Sequence, residues 1–145
     1  MKVAILGAVH GTSPSERLIF ETYKAAVSLK IEHAEILTPN KIYEHRAEFV
    51  KNNPKATDID AVADMVRFDL EEVSNSDLVL VDISLRSTGL GMELARIAEK
   101  KHIRVLLFAK SDCLYSDMIV GLFPDCPVIS YGSADELAQK LDELL

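Results

Sequence analysis

The sequence predicts an α/β fold in which helices cover both faces of a five-stranded parallel sheet. Short apolar runs alternate along the chain with segments of helical periodicity, and most of these runs have a continuously apolar centre. Uninterrupted apolar runs are typical of strands that are buried on both faces. Regular alternation of strands and helices indicates parallel pairing through helical crossovers. Together these two observations favour a doubly wound sheet.

Five apolar runs account for the predicted strands, at residues 2–8, 34–38, 77–84, 103–110 and 126–131. We expect them in the order 2-1-3-4-5, which makes the fold a doubly wound, flavodoxin/Rossmann-like one. At 145 residues, the chain has the length of a single domain with one core. We therefore expect one domain over residues 1–145.

Four helices are predicted between and after these strands, at roughly 13–30, 58–74, 89–101 and 133–145. The first and last begin with a capping-box pattern, Ser13 with Glu16 and Ser133 with Glu136. Residues 39–57 are the least regular part of the chain and contain two prolines. We expect a short helix and a mobile flap there, and loops of that length are often functional.

Composition excludes several classes of protein. The formal net charge is −7 and Lys and Arg form no run, so a nucleic-acid polymer is not expected as a partner. Cys113 and Cys126 match no zinc spacing and favour a reduced, cytoplasmic setting. Met1 leads directly into a strand-like run without a signal-peptide layout, and no apolar stretch is long enough to predict a membrane span.

The fold places a ligand site beyond the carboxyl ends of the strands, near the point where the strand order reverses. Three loops rich in Gly, Ser or Thr would meet there, at residues 7–15, 84–91 and 111–119. Such loops offer hydroxyls and backbone N–H groups to an anion. The alternative is that they are ordinary turns, in which the same residues are common.

Asp69 occupies an unusual position for a carboxylate. It falls on the apolar stripe of helix 58–74, three residues after Val66 and four before Val73. A charge on a core-facing stripe is costly unless it has a partner or a use, and partial burial would favour the protonated form. The structural alternative is an ion pair with Arg67 or Arg86.

Glu93 raises the same question in the stretch RSTGLGMELAR. It lies three residues after Leu90 and four before Ile97, and its nearness to a helix N-terminus favours its ionised form. Gly89 and Gly91 have no Cβ, so a flat sugar can approach the backbone. Two carboxyl groups in different environments are what glycosidic cleavage uses. We therefore predict that Glu93 is a nucleophile; the alternative is a partly solvated glutamate.

The stretch SDLVLVDISLRSTGLGMELARIAEKKHIRVLLF resembles the core motif of the nucleoside 2-deoxyribosyltransferase superfamily. The catalytic glutamate of that family maps to Glu93. Asp69, in RFDLEEVSNSD, matches the family aspartate on the helix before the third strand. The opening ILGAVHG resembles the first strand and glycine turn of the family, which makes Gly7, His10 and Gly11 candidates for substrate binding.

The resemblance is closest to the 2'-deoxynucleoside 5'-monophosphate N-glycosidase branch. Transferases place a carboxylate six positions before the glutamate, whereas the N-glycosidases have a phosphate-binding serine there, as Ser87 is here. SDMIVG is similar to a segment that carries a second phosphate serine, which implies that Ser116 reaches the site of a neighbouring subunit, with Met118 beside it. Backbone N–H groups near Gly89 and Gly91 would complete the phosphate site.

The implied reaction is hydrolysis of the N-glycosidic bond of a 2'-deoxynucleoside 5'-monophosphate through a glycosyl ester on Glu93. Its products are the free base and 2-deoxyribose 5-phosphate, and no metal or organic cofactor is implied. One alternative is a nucleoside 2-deoxyribosyltransferase, which passes the sugar to a second base. An alternative of another class is a non-catalytic nucleotide-binding module.

A homodimer, or a larger assembly built from dimers with shared sites, is also expected. The segment LYSDMIVGLF is mostly apolar, yet it follows a strand at the ligand end of the sheet. Four of its side chains would meet solvent unless a second copy covered them, namely Leu114, Met118, Ile119 and Phe123. The alternative is that the segment folds back on its own core as a helical turn.

Three further residues have two interpretations each. Asp82 ends the third strand, where it would orient a hydroxyl or a loop, or else bond the backbone N–H groups at the strand end. Tyr23 and Tyr43 are candidates for stacking on a base or for ordinary packing.

Overall fold

The computed structural model describes residues 1–7 and 13–145, without the side chains of residues 39 and 40. The elements of the described chain are, in order, β1 (Lys2–Gly7), α1 (Pro14–Lys30), β2 (Glu35–Leu37), α2 (Pro39–Asn52), α3 (Asp58–Ser74), β3 (Leu78–Asp82), α4 (Thr88–Ala98), β4 (Arg104–Lys110), α5 (Asp117–Leu122), β5 (Val128–Tyr131) and α6 (Ala134–Leu144). None of these helices has the length and hydrophobicity that a bilayer crossing requires.

The sheet has the order β2-β1-β3-β4-β5, and every pair of neighbouring strands is parallel. This confirms the predicted α/β fold class and strand order. The chain moves outward from β1 to β2 and then returns to β3 on the other side of β1. A crevice for a ligand is therefore expected between β1 and β3, at their carboxyl ends.

Both faces of the sheet are buried at its centre, which explains why β1 and β3 are continuously apolar over most of their length. Along β1, Val3 and Ile5 pack with α1 and α6, whereas Ala4 and Leu6 pack with α3, α4 and α5. Successive residues of a strand point to opposite faces, so each strand needs apolar residues at every position when both faces are covered.

The helix starts follow the predicted capping chemistry at one end of the chain and depart from it at the other. At α1, the Ser13 hydroxyl accepts from the Glu16 N–H, and the Glu16 carboxylate accepts from the Ser13 N–H. At α6, the Ser133 hydroxyl accepts from the Glu136 N–H, but the Glu136 carboxylate accepts from Gly132 instead. The second capping box is therefore incomplete.

Residues 39–57 contain a full helix rather than a short one with a flap. α2 has 14 residues, and Pro39 lies in its first turn, where the missing N–H group has no intrahelical partner to lose. The Thr38 hydroxyl caps the helix by accepting from the Lys41 N–H. The prediction was wrong because Pro39 begins this helix instead of interrupting it.

α2 packs against α3, and His45 of α2 makes two specific interactions with α3. The rings of His45 and Phe68 stack with centroids 4.0 Å apart and an interplanar angle of 5°. A hydrogen bond of 2.7 Å also joins Nε2 of His45 to Oδ2 of Asp64. Because α2 follows β2 directly, this contact holds the start of α2 beside the carboxyl edge of the sheet.

The apolar segment 114–123 divides its side chains between the core and the surface. Ile119 and Phe123 are buried in the core of their own chain, so the expectation that solvent would meet them is wrong. Leu114 and Met118 point outward with 85% and 83% of their surface exposed. The segment thus folds back as a short helix, α5, that leaves part of its apolar surface uncovered.

Gly7 is a position where only glycine fits. It pairs with Asp82 across β1 and β3, and its φ is +119°. A Cβ at this position would lie 2.1 Å from the carbonyl oxygen of Asp82. Both the backbone conformation and the close approach of the two strands therefore exclude a side chain.

We expect Gly7→Ala to lower the free energy of unfolding by about 3 kcal/mol or more, because it combines a strained φ with a backbone clash. Urea denaturation measures the effect. Gly121→Ala is the matched control, since a Cβ there meets no atom within 4 Å and a helical glycine gains from replacement. A Gly7→Ala protein as stable as the unaltered chain would contradict the close strand approach.

Candidate active site

A cleft of about 260 Å³ opens at the carboxyl ends of β1 and β2, between α3 and α4. Five of the residues predicted for the site line it: Gly7, Asp69, Ser87, Gly89 and Glu93. They come from the end of β1, the middle of α3 and the start of α4. The cleft therefore lies beside the point where the strand order reverses, on the side of β1 that faces β2.

The start of α4 is fixed by a serine cap and by the burial of one helix face. The Ser87 hydroxyl accepts from the Leu90 N–H at 3.3 Å. Leu90, Leu94 and Ile97 are buried on the face that packs against the sheet. Glu93 lies beside this face in the second turn of α4, so the packing of the leucines determines where its carboxyl group points.

Glu93 and Asp69 form a hydrogen-bonded pair of carboxyl groups. Burial away from water, together with the hydrogen bond and the negative charge of Asp69, raises the pKa of Glu93 from 4.5 to about 9. Two adjacent carboxylates repel each other, so the pair retains one proton at neutral pH. The pair can thus provide one carboxylate and one acidic proton at the same place.

The helix N-terminus alone does not determine the protonation state of Glu93. A helix dipole favours an exposed carboxylate by only about 0.3 to 1 kcal/mol. Loss of hydration and a neighbouring carboxyl group oppose ionisation more strongly. The position of Glu93 in the sequence indicates the dipole, but only the fold reveals its partner.

Asp69 faces the cleft rather than the core. The stripe on which it lies is buried only in part, because Val62 and Val66 have 40% and 36% of their surface exposed, and Val66 lines the cleft. The core-facing interpretation of this stripe therefore holds for Val73 but not for its earlier part. The hydrogen bond gives Asp69 a carboxyl partner, Glu93, whereas the structural alternative expected an arginine.

The opposite wall of the cleft is mostly apolar and comes largely from residues that the sequence analysis did not assign to the site. Tyr43 lines it with about half of its surface exposed, so it can contact a flat ligand. Tyr43 is a candidate from the sequence, whereas four members of the wall are not: Leu37, Thr38, Ile42 and Met65. The predicted strand order could have indicated these residues. It places β2 beside β1, so the start of α2 lies at the same carboxyl edge of the sheet as Gly7.

Three predicted residues lie in a different cavity. Gly91, Ser116 and Met118 line a groove between α4 and α5, and Ser87 is the predicted residue common to this groove and the cleft. Within one chain, Ser116 is thus separated from Glu93 by the first turn of α4. His10 and Gly11 lie outside the described residues.

Of the two tyrosines, only Tyr43 borders the cleft. Tyr23 is buried and donates a hydrogen bond to Asp82, so it packs inside the fold. Over residues 1–7 and 13–145, no three His, Cys, Asp or Glu side chains cluster in a way that would hold a metal ion.

Comparisons with known proteins support the fold and show its range of uses. No protein-family model matches the sequence, and no curated protein is significantly similar to it. The structure is similar to the CMP N-glycosidase BcmB of Clostridium botulinum, with a TM-score of 0.62 and 17% identity over 97% of this chain and 98% of that one. At this level of identity, the likeness shows a shared fold.

Other proteins with the same fold have different activities. A flavodoxin-like domain from Synechococcus sp. matches with a TM-score of 0.52 and 12% identity, over 99% of this chain and 92% of that one. The NADH:FMN oxidoreductase EMOB matches with a TM-score of 0.50 and 15% identity, over 98% and 84%. Because one fold supports several activities, function has to be argued from the residues of the cleft.

The carboxyl pair predicts how stability depends on pH. In the folded chain the coupled pair of Glu93 and Asp69 keeps one proton up to about pH 9, whereas in the unfolded chain Glu93 loses its proton near its ordinary value of 4.5. The folded state binds more protons between these values, so the free energy of unfolding should fall as the pH rises through this range. We expect Glu93→Gln to be more stable than the unaltered protein at about pH 8, by roughly 1 to 3 kcal/mol.

Thermal or urea unfolding at about pH 4 and pH 8 measures this difference. The advantage of Glu93→Gln should largely disappear at the lower pH, where the glutamate is protonated in both states. Glu99→Gln is the matched control, since that side chain is 70% exposed at the end of the same helix. No gain in stability for Glu93→Gln at the higher pH would contradict a buried shared proton.

Proposed function

We propose that the protein hydrolyses the N-glycosidic bond of 2'-deoxynucleoside 5'-monophosphates and releases the free base and 2-deoxyribose 5-phosphate. The observation that carries this proposal is the hydrogen-bonded pair of Glu93 and Asp69 in the cleft. The sequence resemblance assigns catalytic roles to the same two residues. The likeness to BcmB, whose substrate is CMP, supports the same class of reaction.

The geometry of the pair favours a covalent route. Inverting glycosidases hold their two carboxyl groups about 6.5 to 9.5 Å apart, on opposite sides of the sugar, with room for a water molecule. A direct hydrogen bond brings two carboxyl oxygens to about 3 Å and leaves no such space. Retaining glycosidases hold their carboxyl groups only about 5 to 5.5 Å apart, so the close pair is nearer to that arrangement, which suits attack by Glu93 itself.

The first step uses the single proton of the pair. With this proton on Asp69, Glu93 is a carboxylate, and one of its oxygens attacks C1' of the sugar. The bond from C1' to the base nitrogen breaks, its electron pair stays with the base, and the base takes the proton from Asp69. The products of this step are the free base and an ester between the sugar and Glu93.

The second step restores the site. A water molecule attacks C1' of the ester while Asp69, now a carboxylate, accepts a proton from this water. The bond between C1' and the Glu93 oxygen breaks, which releases 2-deoxyribose 5-phosphate. Glu93 is again a carboxylate and Asp69 again carries the proton. The absence of a 2'-hydroxyl helps both steps, because an electron-withdrawing group would destabilise positive charge at C1'.

The two ends of the substrate match the two sides of the cleft. The Ser87 hydroxyl accepts from Leu90, so its own hydrogen remains available to donate to a phosphate oxygen. Backbone N–H groups in the first turn of α4 add donors at a helix N-terminus. At the other side, Tyr43 and the apolar residues around it offer a surface for the base.

We also propose that two chains share their sites through α5. Ser116 precedes α5, and its hydroxyl makes no capping hydrogen bond, so it is available to a ligand. The neighbouring Leu114 and Met118 form an exposed apolar surface that a second copy would cover. In such a dimer, Ser116 of one chain would reach the phosphate held by Ser87 of the other.

A product assay tests the reaction. We expect free base and 2-deoxyribose 5-phosphate from a deoxynucleoside 5'-monophosphate alone, without an added base. Glu93→Gln should lower kcat by at least about a thousandfold, and Asp69→Asn by about a hundredfold, because each removes one half of the pair. Circular dichroism and the melting temperature check that both variants fold.

The outcomes of this assay separate the alternatives. Product that forms only when a second base is added would identify a transferase instead. Nucleotide binding without any turnover would identify a binding module. Near-normal hydrolysis by Glu93→Gln would contradict its role as the nucleophile.

Complementation tests the shared site. Alone, we expect the Glu93→Ala chain to be nearly inactive and the Ser116→Ala chain to have reduced activity. When their subunits exchange, we expect the activity to rise above that of either parent. A mixed dimer would hold one site with both changes and one with neither. Sedimentation that shows a monomer at micromolar concentration, or no recovery after proven exchange, would reject the shared site.

A further inference from the structure

Asp82, the last residue of β3, joins three elements at the edge of the sheet that carries the cleft. Only 3% of its surface is exposed. Its Oδ2 accepts hydrogen bonds from the hydroxyl of Tyr131 on β5 at 2.5 Å and from the hydroxyl of Tyr23 on α1 at 3.3 Å. Its Oδ1 accepts from the backbone N–H of Ser84 at 3.0 Å.

These donors explain how a buried carboxylate is tolerated at this position. A buried charge is costly unless hydrogen bonds replace its hydration. Burial, followed by the negative charge of Asp82, raises the pKa of Tyr23, and burial with the hydrogen bond to Asp82 raises that of Tyr131. Both phenols therefore keep their hydrogens and donate them. Within the described part of the chain, no ion pair involves Asp82.

The same network fixes the start of the loop between β3 and α4. Ser84 receives the bond from Asp82 on its N–H, and its hydroxyl accepts from the Lys110 N–H at 2.8 Å. The preceding Ile83 N–H donates to the carbonyl of Phe108 at 2.8 Å. The first two residues of the loop are thus attached to β4 as well as to Asp82.

The rest of this loop has little other support. Residues 85–89 are all exposed, and Ser87 lies among them at the edge of the cleft. The next firm attachment is the bond from the Leu90 N–H to Ser87, at the start of α4. The position of Ser87 therefore depends on the anchor at Ser84 on one side and on α4 on the other.

We propose that Asp82 is a positioning residue that holds the loop of residues 83–87, and with it Ser87, at the cleft. Glu93 depends on this anchor much less, because Leu90, Leu94 and Ile97 fix α4 in the core. Asp82 thus acts on the phosphate end of the substrate and leaves the carboxyl pair in place. The effect on substrate rests on the proposed function, whereas the anchoring of the loop does not.

Hydrogen exchange tests the anchor without reference to activity. We expect Asp82→Asn to speed exchange of the Ser84 amide by about tenfold or more, because an amide side chain cannot accept from three donors as a carboxylate does. Tyr131→Phe removes a single hydroxyl donor to Asp82 and should also speed exchange of the Ser84 amide. It replaces Asp82→Asn in this test if that variant folds poorly. The exchange rates of amides inside β3 and α4 should change only as far as the change in the free energy of global unfolding requires.

Val27→Ala is the matched control. Val27 lies on α1, is fully buried, and belongs to the same core as Tyr23 and Tyr131, but it makes no contribution to the hydrogen-bond network. It should lower the melting temperature and leave local exchange at Ser84 unchanged. If the Asp82 and Tyr131 variants behave like Val27→Ala, the anchor is only a contribution to stability and the proposal is overturned.

Kinetics then test the consequence for substrate. We expect KM for a deoxynucleoside 5'-monophosphate to rise about tenfold in Asp82→Asn, with kcat within about twofold, since the loss falls on phosphate binding. Faster loop exchange with an unchanged KM would overturn the positioning role. If the unaltered protein cleaves no nucleotide, the proposed function fails, and the exchange of Ser84 alone decides whether Asp82 anchors the loop.

Discussion

The close approach of β1 and β3 at their carboxyl ends is the constraint on which the rest of the structure depends. α3 leads into β3 and α4 leaves it on the same face of the sheet, so side chains from both helices meet above this pair of strands. That arrangement brings Asp69 and Glu93 together although 23 positions separate them in the sequence. Gly7 permits the close approach of the two strands, because a Cβ there would lie 2.1 Å from the carbonyl oxygen of Asp82.

The structure contains two different ways of burying a carboxyl group within a short distance along the chain. Asp82 is surrounded by hydroxyl and amide donors, which stabilise its charge and make it unreactive. Glu93 faces another carboxyl group, so it is stabilised by a proton instead of by donors. The first arrangement stabilises the fold, whereas the second destabilises it at neutral pH.

Much of the fold follows from the sequence, since apolar runs and serine caps determine where strands and helices begin. The cleft is harder to predict, because it depends on residues that approach each other only in three dimensions. The position of Glu93 on α4 makes it a candidate from the sequence alone, but its protonation depends on Asp69, which the fold brings beside it. The length of α2 is hard to predict, because a proline marks either the end or the first turn of a helix. Here the Thr38 cap decides for the first turn.

The two edges of the sheet limit how this protein can associate with itself. β2 has only three residues and β5 only four, so each edge exposes few unpaired backbone N–H and C=O groups. A second chain would gain little by adding a strand to either edge, which also protects the protein against aggregation through its sheet. The helices and loops offer a second copy more surface than the edge strands do, and there side chains rather than backbone groups determine the partner.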